Sequence, residues 1–166
     1  MNRSARVALI FGGLVLGLAA PAFAQTATTT LAVSASVAKN CSISTTAVAF
    51  GSYDPVVANA TTPLDASGSV VVTCTKGAGT RIDLGLGGNA SGSTRRMLGG
   101  TDFLTYELYS DSTYSTVWGS GAGAGQTIAT APNKNPRTFT VYGRVAAGQD
   151  VGAASYADTV VATINF

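Results

Sequence analysis

"TTTLAVSASVAKNC", residues 28–41, alternates Leu31, Val33, Ala35 and Val37 with Ala32, Ser34, Ser36 and Ala38. A two-residue period of this kind belongs to a strand with one buried face. The stretch precedes Cys41, the first of two cysteines in the chain. Its position raises the question that decides the fold: whether this strand joins a sheet of its own chain or a sheet of a neighbour.

Toward the N-terminus, Arg3 and Arg6 precede the apolar run Val7 to Ala20, and Pro21 and the small-x-small triplet Ala22-Phe23-Ala24 follow. This is the layout of a secretory signal peptide, with cleavage expected between Ala24 and Gln25. A membrane anchor is the alternative, but the run is shorter than the roughly 20 residues of a spanning helix. The expected organisation is a leader over 1–24, an N-terminal strand segment over 25–38 and one domain over 39–166. Removing 24 of the 166 residues leaves 142, enough for one core.

The formal charge of +2 resides in Arg3 and Arg6, and the rest of the chain carries 8 basic and 8 acidic residues. A neutral chain with few charges offers no basic face for nucleic acid or anionic lipid. It suits association with copies of itself. Cys41 and Cys74 both lie in the exported part, which reads as a disulfide in an oxidising compartment. Such a bridge closes about 34 residues and stabilises by roughly 3–4 kcal/mol in the chain-entropy model. Free thiols or metal ligands are the alternative, but the chain has no histidine, so zinc would need an unusual ligand set.

Toward the C-terminus the same period recurs in short runs between turn signals. "CSISTTAVAFGSYDP" (41–55) reads as a strand ending at Gly51 with a turn at Asp54-Pro55, and residues 56–67 read as loop. "SVVVTCT" (69–75) puts Val70, Val72 and Cys74 on one face, and "RIDLGL" (81–86) does the same for Ile82, Leu84 and Leu86. Residues 87–101 read as a glycine-rich connection. "FLTYELYS" (103–110) aligns Leu104, Tyr106 and Leu108, and "RTFTVYGRV" (137–145) turns Phe139 and Val141 inward. "DTVVATINF" (158–166) sets Val160, Ala162, Ile164 and Phe166 on one face. No capped 3.6-residue stripe is present, so the expected class is an all-β sandwich.

Little in the chain points to catalysis. Without histidine there is no ordinary Ser-His-Asp or Cys-His arrangement. "GLGGNASG" and "GSGAGAGQT" lack the phosphate-loop lysine and a following helix, and read as β-connections. Asp54, Asp83, Asp102, Glu107, Asp111 and Asp158 show no spacing that singles out a pair for glycoside chemistry. Arg95-Arg96 reads as a solvated loop pair more readily than as an anion site. Tyr106, Tyr109, Tyr114 and Trp118 read as packing more readily than as a sugar platform. No enzyme activity, cofactor or metal is expected.

Taken in order, "NCSIS", "FGSYDP", "SVVVTC", "LGLGGNA", "RRM", "LTYELYSD", "WG", "TVYGRV", "GQDVGAASYADTV" and "VATINF" span almost the whole chain after the leader. With the cysteine pair and the aromatic C-terminus, this series resembles the spore coat protein U domain family, which includes pilins of archaic chaperone–usher pili. The resemblance implies an immunoglobulin-like β-sandwich that is incomplete without a donor strand. It implies a periplasmic chaperone that lends a strand and an outer-membrane usher where subunits exchange it. In the fibre, the N-terminal segment of one pilin fills the groove of the next. Leu31, Val33, Ala35 and Val37 would be the donor face. Val160, Ala162, Ile164 and Phe166 would border the acceptor groove and form the chaperone-binding edge, with the Phe166 carboxylate as an anchor. The implied function is a structural subunit of a pilus or surface coat, exported to the cell surface for adhesion and biofilm formation. The alternative is a monomeric secreted spore-coat or carbohydrate-binding module.

Overall fold

Eight antiparallel strands form two sheets in the computed structural model, which describes residues 23–166. The strands are β1 (Cys41–Thr46), β2 (Leu64–Cys74), β3 (Arg81–Leu84), β4 (Arg95–Gly99), β5 (Asp102–Tyr109), β6 (Gln126–Thr127), β7 (Arg137–Val145) and β8 (Ala162–Asn165). One sheet has the order β1-β2-β7-β5-β4 and the other β6-β3-β8. No helix occurs among the described residues.

Residues 36–166 form one compact unit, and residues 23–35 belong to a second. Residues 1–22 of the expected leader lie outside the described residues. The alternating stretch 31–37 forms no strand here, and Leu31, Val33 and Val37 are 88, 86 and 83 % exposed. The reason is physical: a strand exists through its ladder, and an extended segment without a partner gains nothing from its period.

The core comes mostly from the faces that alternation predicts, except that Leu86, read inward with Ile82 and Leu84, lies past the end of β3 and is exposed. Val70 and Val72 of β2, Leu104, Tyr106 and Leu108 of β5, and Val141 and Val145 of β7 point inward from the five-stranded sheet. Ile82 and Leu84 of β3 meet them from the other sheet, with Trp118 fully buried between. At one end, Cys74 packs with Ala78, Ala131, Cys41 and Ile164. There Cys41 and Cys74, opposite each other across β1 and β2, form the disulfide.

Several boundaries differ from the sequence reading, and the last strand covers only Ala162–Asn165 of the stretch 158–166. β2 begins at Leu64, inside the stretch read as loop, because Asp65 and Ser67 alternate with the small residues Ala66 and Gly68 and leave no hydrophobic signal. β4 lies inside the glycine-rich connection, paired along β5 from Arg95↔Tyr106 to Gly99↔Asp102. β1 ends at Thr46, not Gly51. The chain there leaves β2 and passes close over Gly68, where a Cβ would lie 2.5 Å from the Thr46 carbonyl oxygen. Only glycine admits that approach.

Candidate functional site

The second sheet is short, and along one side the larger sheet's inner face has no strand above it. Residues 47–53 and 156–162 run along the two sides of this opening. In the first wall, Val48 and Phe50 turn inward and Ala47 and Ala49 outward, so the strand period continues without a ladder. Among the described residues, the backbone N–H and C=O groups of residues 47–52 have no hydrogen-bond partner.

The second wall is paired on one side only. The carbonyls of Thr159, Val161 and Asn165 accept from the N–H groups of Gly88, Gly85 and Thr80 at 3.1, 2.9 and 2.9 Å. Backbone groups alternate sides along a strand, so those of Val160, Ala162 and Ile164 point the other way. That side is the open edge of the three-stranded sheet. The floor between the walls is apolar and is made by Val70, Val141, Leu108, Tyr106 and Met97, continuing to Leu64, Leu104 and Val145. The groove has two lobes, with cavity volumes of about 460 and 570 Å³.

Polar side chains hold the walls in place. Asp158 accepts from the Tyr106 hydroxyl at 2.7 Å and from the Asn89 backbone and side chain at 3.1 Å each. Burial works to raise the pKa of this carboxyl. The hydrogen bonds from Tyr106 and from the backbone of Thr159, Asn89 and Gly88 outweigh that and hold it below the usual carboxylate value. Burial first, and then the Asp158 hydrogen bond, raises the pKa of the Tyr106 phenol. The tie therefore stays intact, with Tyr106 as donor, throughout the neutral range. On the other wall, the Tyr53 hydroxyl donates to Ala146 O and accepts from Gln149 N, both at 2.9 Å.

Among the residues singled out beforehand, Val160 and Ala162 border the groove. Ile164 packs at the disulfide end with Cys74, Ala78 and Ala131. Phe166 lies beyond β8 and is 54 % exposed. Leu31, Val33, Ala35 and Val37 have no strand partner in their own chain among the described residues. The sequence reading missed Val48, Phe50, Met97 and Tyr156. Only the inward alternation of Val48 and Phe50 carried a signal for them.

Arg95 corrects the reading of the arginine pair. It is 1 % exposed, with its guanidinium donating to the carbonyls of Leu84, Gly85 and Trp118 at 2.8–3.0 Å and to the Glu107 carboxylate. It thereby joins the end of β3 to β4 and β5. Arg96 is the outward member of the pair and stacks on Phe103 with 3.9 Å from guanidinium carbon to ring centroid. Tyr106 and Trp118 are core residues, whereas Tyr109 and Tyr114 meet edge to face on the outer surface beside Tyr142. The carboxylates act as local backbone anchors. Asp54 accepts from Val56 and Val57 N–H, Asp111 from Thr113, Ser115 and Thr116 N–H, and Asp102 from Gly152 N–H. Among the described residues, no group of three potential ligands is placed to hold a metal.

A two-sheet antiparallel sandwich whose core lacks a covering strand along one side defines a class, the pilin-like β-sandwich. The chain belongs to the Spore Coat Protein U domain family, whose profile matches residues 27–163. It is 41 % identical over 174 residues to Protein U of Myxococcus xanthus, covering 96 % of each chain. It also matches a chain in a crystal structure described as the CsuC-CsuE chaperone-tip adhesion subunit pre-assembly complex, from archaic chaperone-usher Csu pili of Acinetobacter baumannii. That match has a TM-score of 0.56 and 22 % identity, and covers 78 % of this chain. The present chain spans 40 % of the length of that one, and the likeness is one of fold.

Proposed function

We propose that this protein is a structural, non-enzymatic subunit of a pilus or related surface coat, and that it polymerises by donor-strand exchange. Residues 31–37 of one copy enter the groove of the next. The observation that carries the reading is the groove itself: an apolar floor between two walls whose facing backbone edges are unpaired. One extended strand satisfies both edges at once, and its inward side chains cover the floor. The chain supplies a segment of that kind upstream of Cys41, with its apolar residues exposed. Burying Leu31, Val33 and Val37 contributes roughly 1.5–3 kcal/mol each. Donor and acceptor are different surfaces, so the contact repeats without closing and makes a filament.

An open groove with bare edges invites aggregation, which is why a chaperone strand occupies it first in this reading and an outer-membrane usher exchanges it. Export after removal of residues 1–24 places the chain in the periplasm, where the disulfide forms, and then at the cell surface. Adhesion and biofilm formation follow from a fibre at that site.

The test is Val33→Asp in the full chain, expressed with its export and assembly partners. The expected result is loss of the polymer ladder on unheated gels and of fibres by electron microscopy, with the chaperone-bound subunit retained. Normal fibres from this variant sink the donor assignment. Wild-type protein secreted as one compact species, with neither ladder nor fibre, identifies the monomeric module instead.

A further inference from the structure

The disulfide has a charged neighbour. Arg137 opens β7 opposite Val72, and residues directly opposite share a face, so it lies on the inward side with Val72 and Cys74. Its Nη1 donates to the Ala129 carbonyl. Its Nε and Nη2 are buried, and among the described residues neither has a hydrogen-bond partner. The guanidinium carbon lies 5.8 Å from the centroid of the Phe139 ring. Gly79 locates the sulfurs against this cation. The position that a Gly79 Cβ would take is 2.9 Å from Cys74 Sγ, 3.4 Å from Arg137 Nη2 and 3.6 Å from Cys41 Sγ. Cys74 Sγ and Nη2 are therefore no more than about 6 Å apart, the range in which a cation favours the ionised form of an acid. The φ of +78° at residue 79 favours glycine, so this point stays free of a side chain.

A buried guanidinium with two unpartnered N–H groups is costly, and a disulfide beside it is at best a weak acceptor. A thiolate in the same place is a strong one. We propose that Cys41, Cys74 and Arg137 form a thiol–disulfide exchange site, at which Cys41 meets a disulfide-bearing oxidant and Cys74 resolves the mixed disulfide. The order follows from access, since Cys41 is partly exposed and Cys74 is 2 % exposed. The Cys41 thiolate attacks one sulfur of the oxidant, whose S–S bond breaks, and the other sulfur leaves as a thiolate. The Cys74 thiolate then attacks Cys41 Sγ, the mixed disulfide breaks, and the oxidant's second sulfur leaves. Two electrons pass from the cysteines to the oxidant, and the two thiol protons end on its leaving sulfurs. Burial raises the pKa of the Cys74 thiol, and the Arg137 charge and its two N–H groups outweigh that by holding the thiolate. The other ionisable groups on the surrounding elements are Lys39, Lys76, Lys134, the Phe166 carboxylate, and Arg81 and Asp83, which pair with each other. Lys39 and Lys76 are exposed and stand two residues from a cysteine in folded and unfolded chain alike. The bridge is the root of the N-terminal segment, because Thr75 N–H donates to Asn40 O at 2.8 Å and Asn40 N–H to Thr75 Oγ1 at 3.2 Å. Closing it fixes where that segment leaves the domain, whether or not subunits exchange strands.

The experiment reduces the full chain without its leader and adds oxidised glutathione as the probe. Samples are quenched with acid, and the adducts are mapped by peptide mass spectrometry across a pH series. Glutathione is expected on Cys41 first, with at least tenfold preference over Cys74. Closure of that adduct is expected to have a pH midpoint about one unit lower in buffer than in denaturing urea. Arg137→Gln is expected to raise the midpoint in buffer by about one unit and to slow closure at neutral pH by at least fivefold, and Arg137→Lys to recover part of both. In denaturing urea the three chains are expected to coincide. Glutathione appearing first on Cys74 overturns the order of the two cysteines. Equal midpoints for wild type and Arg137→Gln in buffer, or a difference that persists in urea, overturn the role of Arg137. The wild-type comparison of buffer with urea needs no variant, so it decides the matter even where Arg137→Gln fails to accumulate: equal midpoints there overturn the site.

Discussion

Arg95 and Arg96 adjoin in a glycine-rich stretch, and their local pattern does not distinguish them. Pairing with β5 does, because Arg95 stands opposite the core residue Tyr106 and so faces inward. Its burial is tolerable because three carbonyls and a carboxylate surround the guanidinium, the arrangement a buried cation requires. Arg95→Ala leaves Glu107 and those carbonyls without their donor and is expected to cost about 3 kcal/mol or more in denaturant unfolding. Arg95→Lys keeps the charge but not the planar fork, and should recover only part of that loss. Arg96→Ala should cost less than about 1 kcal/mol, since that cation works at the surface. Equal costs for the two alanine variants would show that the fork contributes no more than a surface stack. The glycines Gly99 and Gly143 were just as silent in the sequence, because the rings they seat, of Tyr156 and Phe50, are more than 50 residues away in the chain.

At the scale of the element, alternation located the strands whose inward residues are large and missed those whose inward residues are small. β2 illustrates both, since Val70 and Val72 announced its second half while Ala66 and Gly68 concealed its first. The walls of the groove were half legible. Val160 and Ala162 stood out by period, whereas Phe50 followed a strand that was expected to continue and instead crossed to the groove. Asp158 fixes the second wall, and its pKa gives that element a pH signature. Its folded pKa lies below the usual carboxylate value of 3.8, so the stability it contributes is fully present above that value and is lost as pH falls through the folded pKa. Unfolding measured by denaturant should therefore weaken below about pH 4, and Asp158→Asn should lower stability at pH 7 while flattening part of the acid slope. An unchanged slope would assign the acid sensitivity to other carboxylates. The disulfide acts on the opposite end of β1. Reducing it should lower unfolding free energy by roughly 3–4 kcal/mol, and denatured, unreduced protein should present no titratable thiol.

For the whole molecule, the two-layer class was legible because every long run had a period of two, but the pairing order was not. Periodicity says which face a residue takes and nothing about which strand lies alongside, and the order β1-β2-β7-β5-β4 joins strands distant in sequence. The alternating segment 31–37 had no obvious sheet in the sequence, and the structure holds an apolar floor with two bare edges, which the proposed donor strand would cover. If the groove is one strand short, filling it within a single chain should complete the fold. β8 ends at Asn165 beside the open edge, so residues 28–38 appended after Phe166 through a hairpin turn of about four residues would run antiparallel to it. Such a chain is expected to unfold at least about 5 °C higher than the unmodified subunit, because it buries Leu31, Val33 and Val37 that were otherwise exposed. It should elute as a monomer and form no ladder, since its acceptor edges are already paired. A second version with a linker of about 12 residues permits the parallel orientation, and greater stability of that version would reverse the strand direction. An unchanged unfolding midpoint in both versions, with ladders still forming, would show that the groove is not where this segment belongs.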